Sequence, residues 1–289
     1  MITQAPNYTR RKWLDRCMRG LTVGATLLAL IPLFLILGYV LVRGAGALNL
    51  AFFTQAYEPP VVGAGGAVGN AGGVLHGIIG SLLIVGVALL MALPIGILAG
   101  VFLAEYPANS VATAVRFCTD VLSAAPSIVI GVAAYVLIVQ RTHQFSGLAG
   151  SVALTVLMIP VITRTTEEIL KLVPHTMREA AMALGAPKWW LTLTVIIPTA
   201  LSGIVTGVLL AFARATGETA PLLLTVLGNN NISFKLLEPM AALPLLTYKY
   251  TDTPFPAQNT LAWGTALVLT LLVLSVNLAV RWATRSRIK

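Results

Sequence analysis

Charged residues are scarce in this 289-residue chain. They make up 10% of it, whereas soluble domains carry about 25%. Hydrophobic residues make up 57%, and the mean hydropathy is +0.87. A chain this apolar has too little polar surface to cover itself in water. That excludes an ordinary soluble enzyme and a disordered regulator, and it leaves an integral membrane protein.

Cysteine and histidine are also rare, and their positions exclude further chemistry. Cys17 and Cys118 fall on segments that we predict to be cytoplasmic, where a disulfide is not expected. The three histidines have no metal-ligand spacing, so we expect no metal site and no cofactor bound by this chain. No Walker A motif occurs and no catalytic constellation is visible. We therefore expect no enzyme and no ATP hydrolysis by the chain itself.

The net charge is +9, from 19 basic and 10 acidic residues. In a soluble protein this excess would suggest nucleic acid as a partner. In a membrane protein it reflects the bias of lysine and arginine toward cytoplasmic loops. We expect membrane lipid around the chain and no nucleic acid.

Six charge-free stretches are long enough to cross a membrane, which takes about 20 apolar residues. The short alternating segments of a membrane β-barrel are not seen. We predict an all-α integral membrane protein with about six transmembrane helices, at residues 21–42, 77–104, 121–140, 144–163, 189–213 and 253–280.

The basic residues also predict the orientation. Both tails are basic, and six spans place both tails on one side, so that both termini are expected in the cytoplasm. The segment between the fourth and fifth spans is then also cytoplasmic.

Two external segments are distinctive. Residues 63–73 are glycine-rich without phosphate-loop spacing, which predicts a flexible loop. Residues 219–252 contain two apolar runs, at 220–227 and 239–247, that are too short to span. They are expected to form short external helices or a re-entrant piece buried in protein.

The cytoplasmic segment 174–190 has the pattern of an ordered helical knob. Thr176 and Glu179 have the spacing of a capping box. Gly185 lies where a helix ends in a left-handed residue, and Pro187 suits the first turn of the next helix. A short helix, a glycine turn and a second helix are predicted, and such a knob can seat in a groove of a partner.

The same segment carries a long motif: Glu179-Ala180-Ala181, three residues, Gly185, nine residues, then Val195-Ile196-Ile197-Pro198. It resembles the EAA loop of ABC importer permeases, whose pattern ends in Ile-x-Leu-Pro, so that Val195 and Ile197 are conservative departures. In that family the loop docks onto an ATPase subunit. The resemblance implies an ATPase-coupling role for Glu179, Ala180, Ala181, Gly185 and Pro198, within a coupling loop at residues 175–198.

Three other segments resemble the permease subunits of phosphate ABC importers: Pro126-Ser127-Ile128-Val129, Arg164-Thr165-Thr166-Glu167-Glu168 and the run from Arg214 to Leu223, which reads RATGETAPLL. The resemblance covers roughly residues 70–285 and implies the type I ABC importer permease fold. It implies a homologous permease subunit, an ATPase dimer that carries ATP and Mg, and an external phosphate-binding protein. The implied divisions are a cytoplasmic tail 1–19, a first helix and external loop 20–72, a permease domain 73–283 and a tail 284–289.

Two arginines in the spans share a pattern. Arg164 with Glu168, and Arg214 with Glu218, are each spaced i,i+4, so that each pair partly neutralises itself. Guanidinium matches a phosphate oxyanion and stays charged. We predict that both pairs line the transport pathway at two depths, together with Glu167. The alternatives are that Arg164 reaches the inner interface, that Arg214 forms a structural salt bridge, and that Glu167 faces the headgroups.

Proline and glycine inside the spans predict kinks and close packing. Pro94, Pro126 and Pro160 predict kinks. The pairs Gly96/Gly100 and Gly203/Gly207 have GxxxG spacing and are candidates for packing against a second permease chain.

Two other functions stay open. One is a permease of the same class for sulfate, molybdate or phosphonate. The other is an ion-driven, stand-alone transporter, against which the ordered cytoplasmic loop argues.

Overall fold

The computed structural model describes residues 8–59 and 72–285, and the regular elements in these ranges are helices. Numbered along the chain, they are α1 Tyr8–Ala45, α2 Leu50–Thr54, α3 Leu75–Glu105, α4 Ser110–Ala124, α5 Ser127–Thr142, α6 Gly147–Lys171, α7 His175–Ala183, α8 Lys188–Thr216, α9 Ala220–Thr225, α10 Leu243–Thr251 and α11 Pro256–Arg285.

Five of these helices are long and apolar enough to cross a membrane, namely α1, α3, α6, α8 and α11. The predicted span at 121–140 is instead divided between α4 and α5, which meet at an angle of 103°. Pro126 explains the break, because a proline disfavours helical backbone in the residue before it. Ala125 accordingly has φ −65° and ψ 133°. The prediction of about six spans is confirmed if the bent pair counts as one, whereas an unbroken third span is wrong.

Helix α6 forms the centre of the fold. Two thirds of its apolar window is buried, whereas none of the window in α1 is. Hydroxyl groups fix α6 to the backbone of α3, since Ser151 Oγ donates to Ile84 O at 2.9 Å and Thr155 Oγ1 donates to Ala88 O at 3.2 Å. These two buried hydroxyls therefore have backbone partners without needing water.

Glycine lets α3 approach one side of α6. A Cβ added at Gly96 would lie 2.7 Å from Ile162, and one added at Gly100 would lie 2.6 Å from Thr166. The expectation that this pair packs against a second permease chain is wrong, because α6 of the same chain occupies the glycine face.

Glycine lets α8 approach the other side of α6. A Cβ at Gly203 would lie 2.6 Å from Ile169, and one at Gly207 would lie 2.6 Å from the Cβ of Thr165. This pair too packs within the chain and not against a second copy. The order of the contacts shows that α6 and α8 run antiparallel.

The segment 219–252 forms the two short helices α9 and α10, as predicted. The start of α10 is buried against α3, where the N–H of Leu243, its first residue, donates to Ser81 Oγ at 2.7 Å. Most of the glycine-rich loop, at 63–71, lies outside the described residues, as do 1–7 and 286–289 of the two tails.

The glycine packing predicts that Gly100→Ala destabilises the protein, because the new methyl group would lie 2.7 Å from the backbone oxygen of Thr163. Overpacking of this kind costs about 1–3 kcal/mol. The measurement is the unfolding temperature of the purified protein in detergent.

Gly86→Ala on the same helix is the matched control, because nothing lies within 4 Å of its added Cβ. The control should unfold at or above the wild-type temperature, since alanine favours helix over glycine. Equal unfolding temperatures for Gly100→Ala and Gly86→Ala would contradict the account of α3 and α6.

Candidate transport pathway and coupling surface

The segment between α6 and α8 is the predicted helix, glycine turn and helix. Gly185 has φ +81°, the left-handed conformation that glycine adopts without a Cβ clash. The N–H of Gly185 donates to Met182 O at 2.9 Å, and that of Ala186 donates to Ala181 O at 3.3 Å. These two bonds close the end of α7 and fix the direction in which α8 begins.

The start of α7 differs from the prediction. The helix begins at His175 after Pro174, and no side chain caps it. The predicted Thr176–Glu179 capping box is therefore wrong, because Thr176 lies inside the first turn. Glu179 makes no described hydrogen bond and is exposed, so its carboxylate is available to a partner.

Exposed apolar side chains lie on the same segment as Glu179. Leu184 is 89% exposed, and Met177, Met182 and Trp189 are exposed as well. Exposed apolar patches of this kind mark interaction sites. Ala180 and Gly185 lie on the same exposed segment, Ala181 is half-buried, and Pro198 lies further on, inside α8.

A buried ion pair fixes α7 to the membrane helices. Arg178 Nη1 lies 2.6 Å from Glu105 Oε1 at the end of α3, and Arg178 Nη2 donates to Leu170 O in α6 at 3.0 Å. Both side chains are largely buried. One guanidinium therefore joins α7 to two membrane helices.

Glu167 forms the centre of a second ion network. Its carboxylate is buried and accepts hydrogen bonds from Arg116 Nε at 2.8 Å and from Lys171 Nζ. Arg116 also donates to Leu103 O at 2.8 Å. Glu167 therefore ties α4 and α3 to α6, and the expectation that it faces the headgroups is wrong.

Arg164 is held more loosely. Its Nε lies 3.3 Å from Glu168 Oε1, its Nη1 lies 3.6 Å from Glu167 Oε2, and its side chain is 45% exposed. The predicted i,i+4 pair forms, but these distances exceed those of a strong charge-assisted bond, about 2.7–2.9 Å. Donors of this guanidinium remain available to another anion.

Arg214 is similar. Its Nε lies 3.9 Å from Glu218 Oε1, and its side chain is 47% exposed. It lies in the last turn of α8, so the predicted second pair forms at the end of that helix. Two half-exposed arginines with distant counter-charges are thus carried by the neighbouring helices α6 and α8.

The two arginines lie at different depths. Gly207 of α8 packs on Thr165, the neighbour of Arg164. Arg214 follows Gly207 by seven residues, which is about 10 Å along a helix with a rise of 1.5 Å per residue. An anion that passes along α6 and α8 would meet the two guanidinium groups in succession.

Within residues 8–59 and 72–285, no three His, Cys, Asp or Glu side chains come close enough to hold a metal ion.

Comparison with known proteins identifies the family. Residues 92–289 match the family described as "Binding-protein-dependent transport system inner membrane component". The chain belongs to this family. It is a multi-pass inner-membrane permease component, and its membrane location agrees with its apolar helices.

Relatives of this permease are found in several bacteria. The chain is 44% identical over 272 residues to the phosphate transport system permease protein PstA of Haemophilus influenzae, with 94% of each chain covered. It is 41% identical over 257 residues to PstA of Mycobacterium leprae, with 87% of this chain and 82% of the relative covered.

A solved structure shows the same fold. A chain of the MetNI methionine ABC transporter, in an inward-facing conformation, matches with a TM-score of 0.62 at 22% identity. The match covers 74% of this permease and 95% of that chain. The predicted type I ABC importer permease fold is confirmed.

The sequence did not identify three charged residues of these ion pairs, namely Glu105, Arg116 and Arg178. Glu105 and Arg178 are 73 residues apart, and Arg116 and Glu167 are 51 residues apart. Only the i,i+4 pairs give a local signal, so none was available for these partners.

Proposed function

We propose that this chain is the transmembrane permease subunit of an ATP-driven importer of inorganic phosphate. The relatives named PstA support the substrate, since they are 44% identical in the example from Haemophilus influenzae and cover nearly the whole chain. The observation in the structure that carries the proposal is the pair of loosely held arginines, Arg164 and Arg214, at two depths on facing helices.

Arg164 and Arg214 differ from two other arginines in how tightly they are bound. Arg116 and Arg178 bind carboxylates at 2.8 Å and 2.6 Å and also donate to backbone oxygens. Several donors of each guanidinium are occupied by protein atoms, so these arginines hold the structure together. Arg164 and Arg214 have longer distances to their carboxylates and larger exposed fractions, which suits weak binding of a passing anion.

Weak binding is what transport requires, because a deep site would slow release. Each guanidinium offers a planar set of donors that fits a phosphate oxyanion. Glu168 and Glu218 supply counter-charges that pair with the arginines when no anion is present. In this scheme Glu167 orients Arg164 from its buried position and does not touch the anion.

The assembly follows from the family and from the coupling surface. The pathway forms between this chain and a homologous, PstC-like permease. A PstB-like ATPase dimer, which carries ATP and Mg, binds at α7, and a PstS-like protein delivers phosphate from outside. Closure of the ATPases would push on α7, and the Arg178–Glu105 pair would pass this movement to α3 and α6.

The substrate is tested by uptake of labelled phosphate at low concentration in cells that lack this chain and in cells in which it is restored. We expect Arg214→Gln to lower uptake about tenfold or more, because hydrogen bonds to charged groups contribute about 1.5–3 kcal/mol. Arg141→Gln makes the same charge change on an exposed residue and should leave uptake unchanged.

Sulfate and molybdate uptake are measured alongside. If uptake of sulfate or molybdate is lost instead of phosphate uptake, the phosphate assignment is wrong, whereas the assignment as an ATP-driven importer stands. If Arg214→Gln takes up phosphate at the wild-type rate, Arg214 does not contact the anion in the pathway.

The coupling surface is tested by purification in mild detergent and measurement of the ATPase subunit that remains bound. Gly185→Val should lose the ATPase, because a β-branched residue is strained at φ +81°. Glu179→Gln should weaken the association as well.

Gly185→Asn is the control, because asparagine tolerates the left-handed conformation and open space surrounds this position. It should retain the ATPase. Equal retention by Gly185→Val and Gly185→Asn would argue against docking at this turn, and an ATPase-free wild type would favour a stand-alone transporter.

A further inference from the structure

A pocket of about 340 Å³ lies between α7 and the ends of the membrane helices. Its charged and titratable lining comes from four elements: Glu105, Lys171, His175, Arg178 and Lys188. Because α3 and α8 form one wall, the pocket is on the side of α7 that faces the spans. Met182 lines the pocket and is also partly exposed beside Glu179, so the pocket adjoins that exposed surface.

The charge around this pocket is not balanced. The pocket and the adjoining Glu167 network, all within the described range 72–285, contain five cations, namely Arg116, Arg164, Lys171, Arg178 and Lys188, and three carboxylates, namely Glu105, Glu167 and Glu168. The excess is two positive charges.

Lys188 carries much of that excess. Its ammonium lies 5.6 Å from the centroid of the Tyr106 ring, and no described carboxylate lies within salt-bridge distance. Lys171 is bound to Glu167, but its side chain is 49% exposed and Glu167 is shared with Arg116. Both ammonium groups keep donors for a further anion.

Helix α7 adds backbone donors. Its first residue, His175, lines the pocket, and no side chain caps its first turn. The first N–H groups of a helix have no partner within the helix and favour an anion. The nine-residue helix thus directs its positive end to the region where the lysines leave an excess of charge.

We propose that this pocket binds a phosphate-class oxyanion at the cytoplasmic end of the permease, held by Lys188, Lys171 and the first turn of α7. The anion is a phospholipid headgroup or free inorganic phosphate, which share this chemistry. Lys171 ends α6 and Lys188 begins α8, so the bound anion joins both helices that flank α7. It stabilises the position of α7 against the spans.

The experiment uses the assembled transporter, without ATP, in nanodiscs and follows hydrogen exchange of α7. One arm uses phosphatidylcholine with added inorganic phosphate, and chloride at equal ionic strength is its reference. The other arm replaces part of the lipid with phosphatidylglycerol and adds no phosphate. At about ten times the dissociation constant, the bound anion should slow exchange of α7 about tenfold by mass action.

The variants identify the site. Lys188→Gln should abolish the anion-dependent slowing, and Lys188→Arg should retain it. Lys12→Gln is the matched control, because Lys12 is an exposed lysine that also lies over a tyrosine ring, 5.9 Å from the centroid. It should respond like the wild type.

Each outcome has one meaning. Slowing only with inorganic phosphate identifies free phosphate, and slowing only with phosphatidylglycerol identifies the lipid headgroup. No slowing in either arm, or equal slowing in Lys188→Gln, overturns the proposal. The variant also separates this site from the transport pathway, because Lys188 lies at the opposite end of α8 from Arg214.

Discussion

The close packing of α6 between α3 and α8 is the constraint on which the rest of the structure depends. Gly96 and Gly100 bring α3 against one side, and Gly203 and Gly207 bring α8 against the other. In lipid there is little hydrophobic drive for helices to associate, so close packing of this kind stabilises their contact. It sets the positions of the charges that α6 and α8 carry.

That packing buries some charged side chains of α6 and α8 and leaves others half-exposed. Glu167 is drawn into a buried network, whereas Arg164, three residues earlier, stays half-exposed. Buried charges need good hydrogen-bonding partners, and Glu167 has them in Arg116 and Lys171. The exposed arginines are left with distant partners, and this contrast separates residues that hold the fold from residues that can bind a moving anion.

The sequence predicted what depends on local chemistry. Long apolar runs gave five spans, Gly185 gave the turn, and i,i+4 spacing gave the Arg164 and Arg214 pairs. The site roles of these residues stay predictions.

What depends on tertiary packing could not be predicted. The GxxxG pairs show that a close contact exists but not which helix makes it. Pro126 predicts a kink but not an angle of 103°, which is set by how α4 and α5 pack on α6. The Arg178–Glu105 pair joins residues that only the fold brings together, and the capping box failed because α7 begins at His175, just after Pro174.

The Arg178–Glu105 ion pair joins α7 to α3, so we expect these two helices to move as one body. The most direct test measures the distance between spin labels at Leu184 and Leu98 in the assembled transporter, with Cys17 and Cys118 replaced. Both label sites are exposed. The account predicts the same distance without nucleotide and with trapped ATP, and a broadened distance in Glu105→Gln. A shift between the two nucleotide states in the wild type would show that α7 moves independently of α3 and would contradict the account.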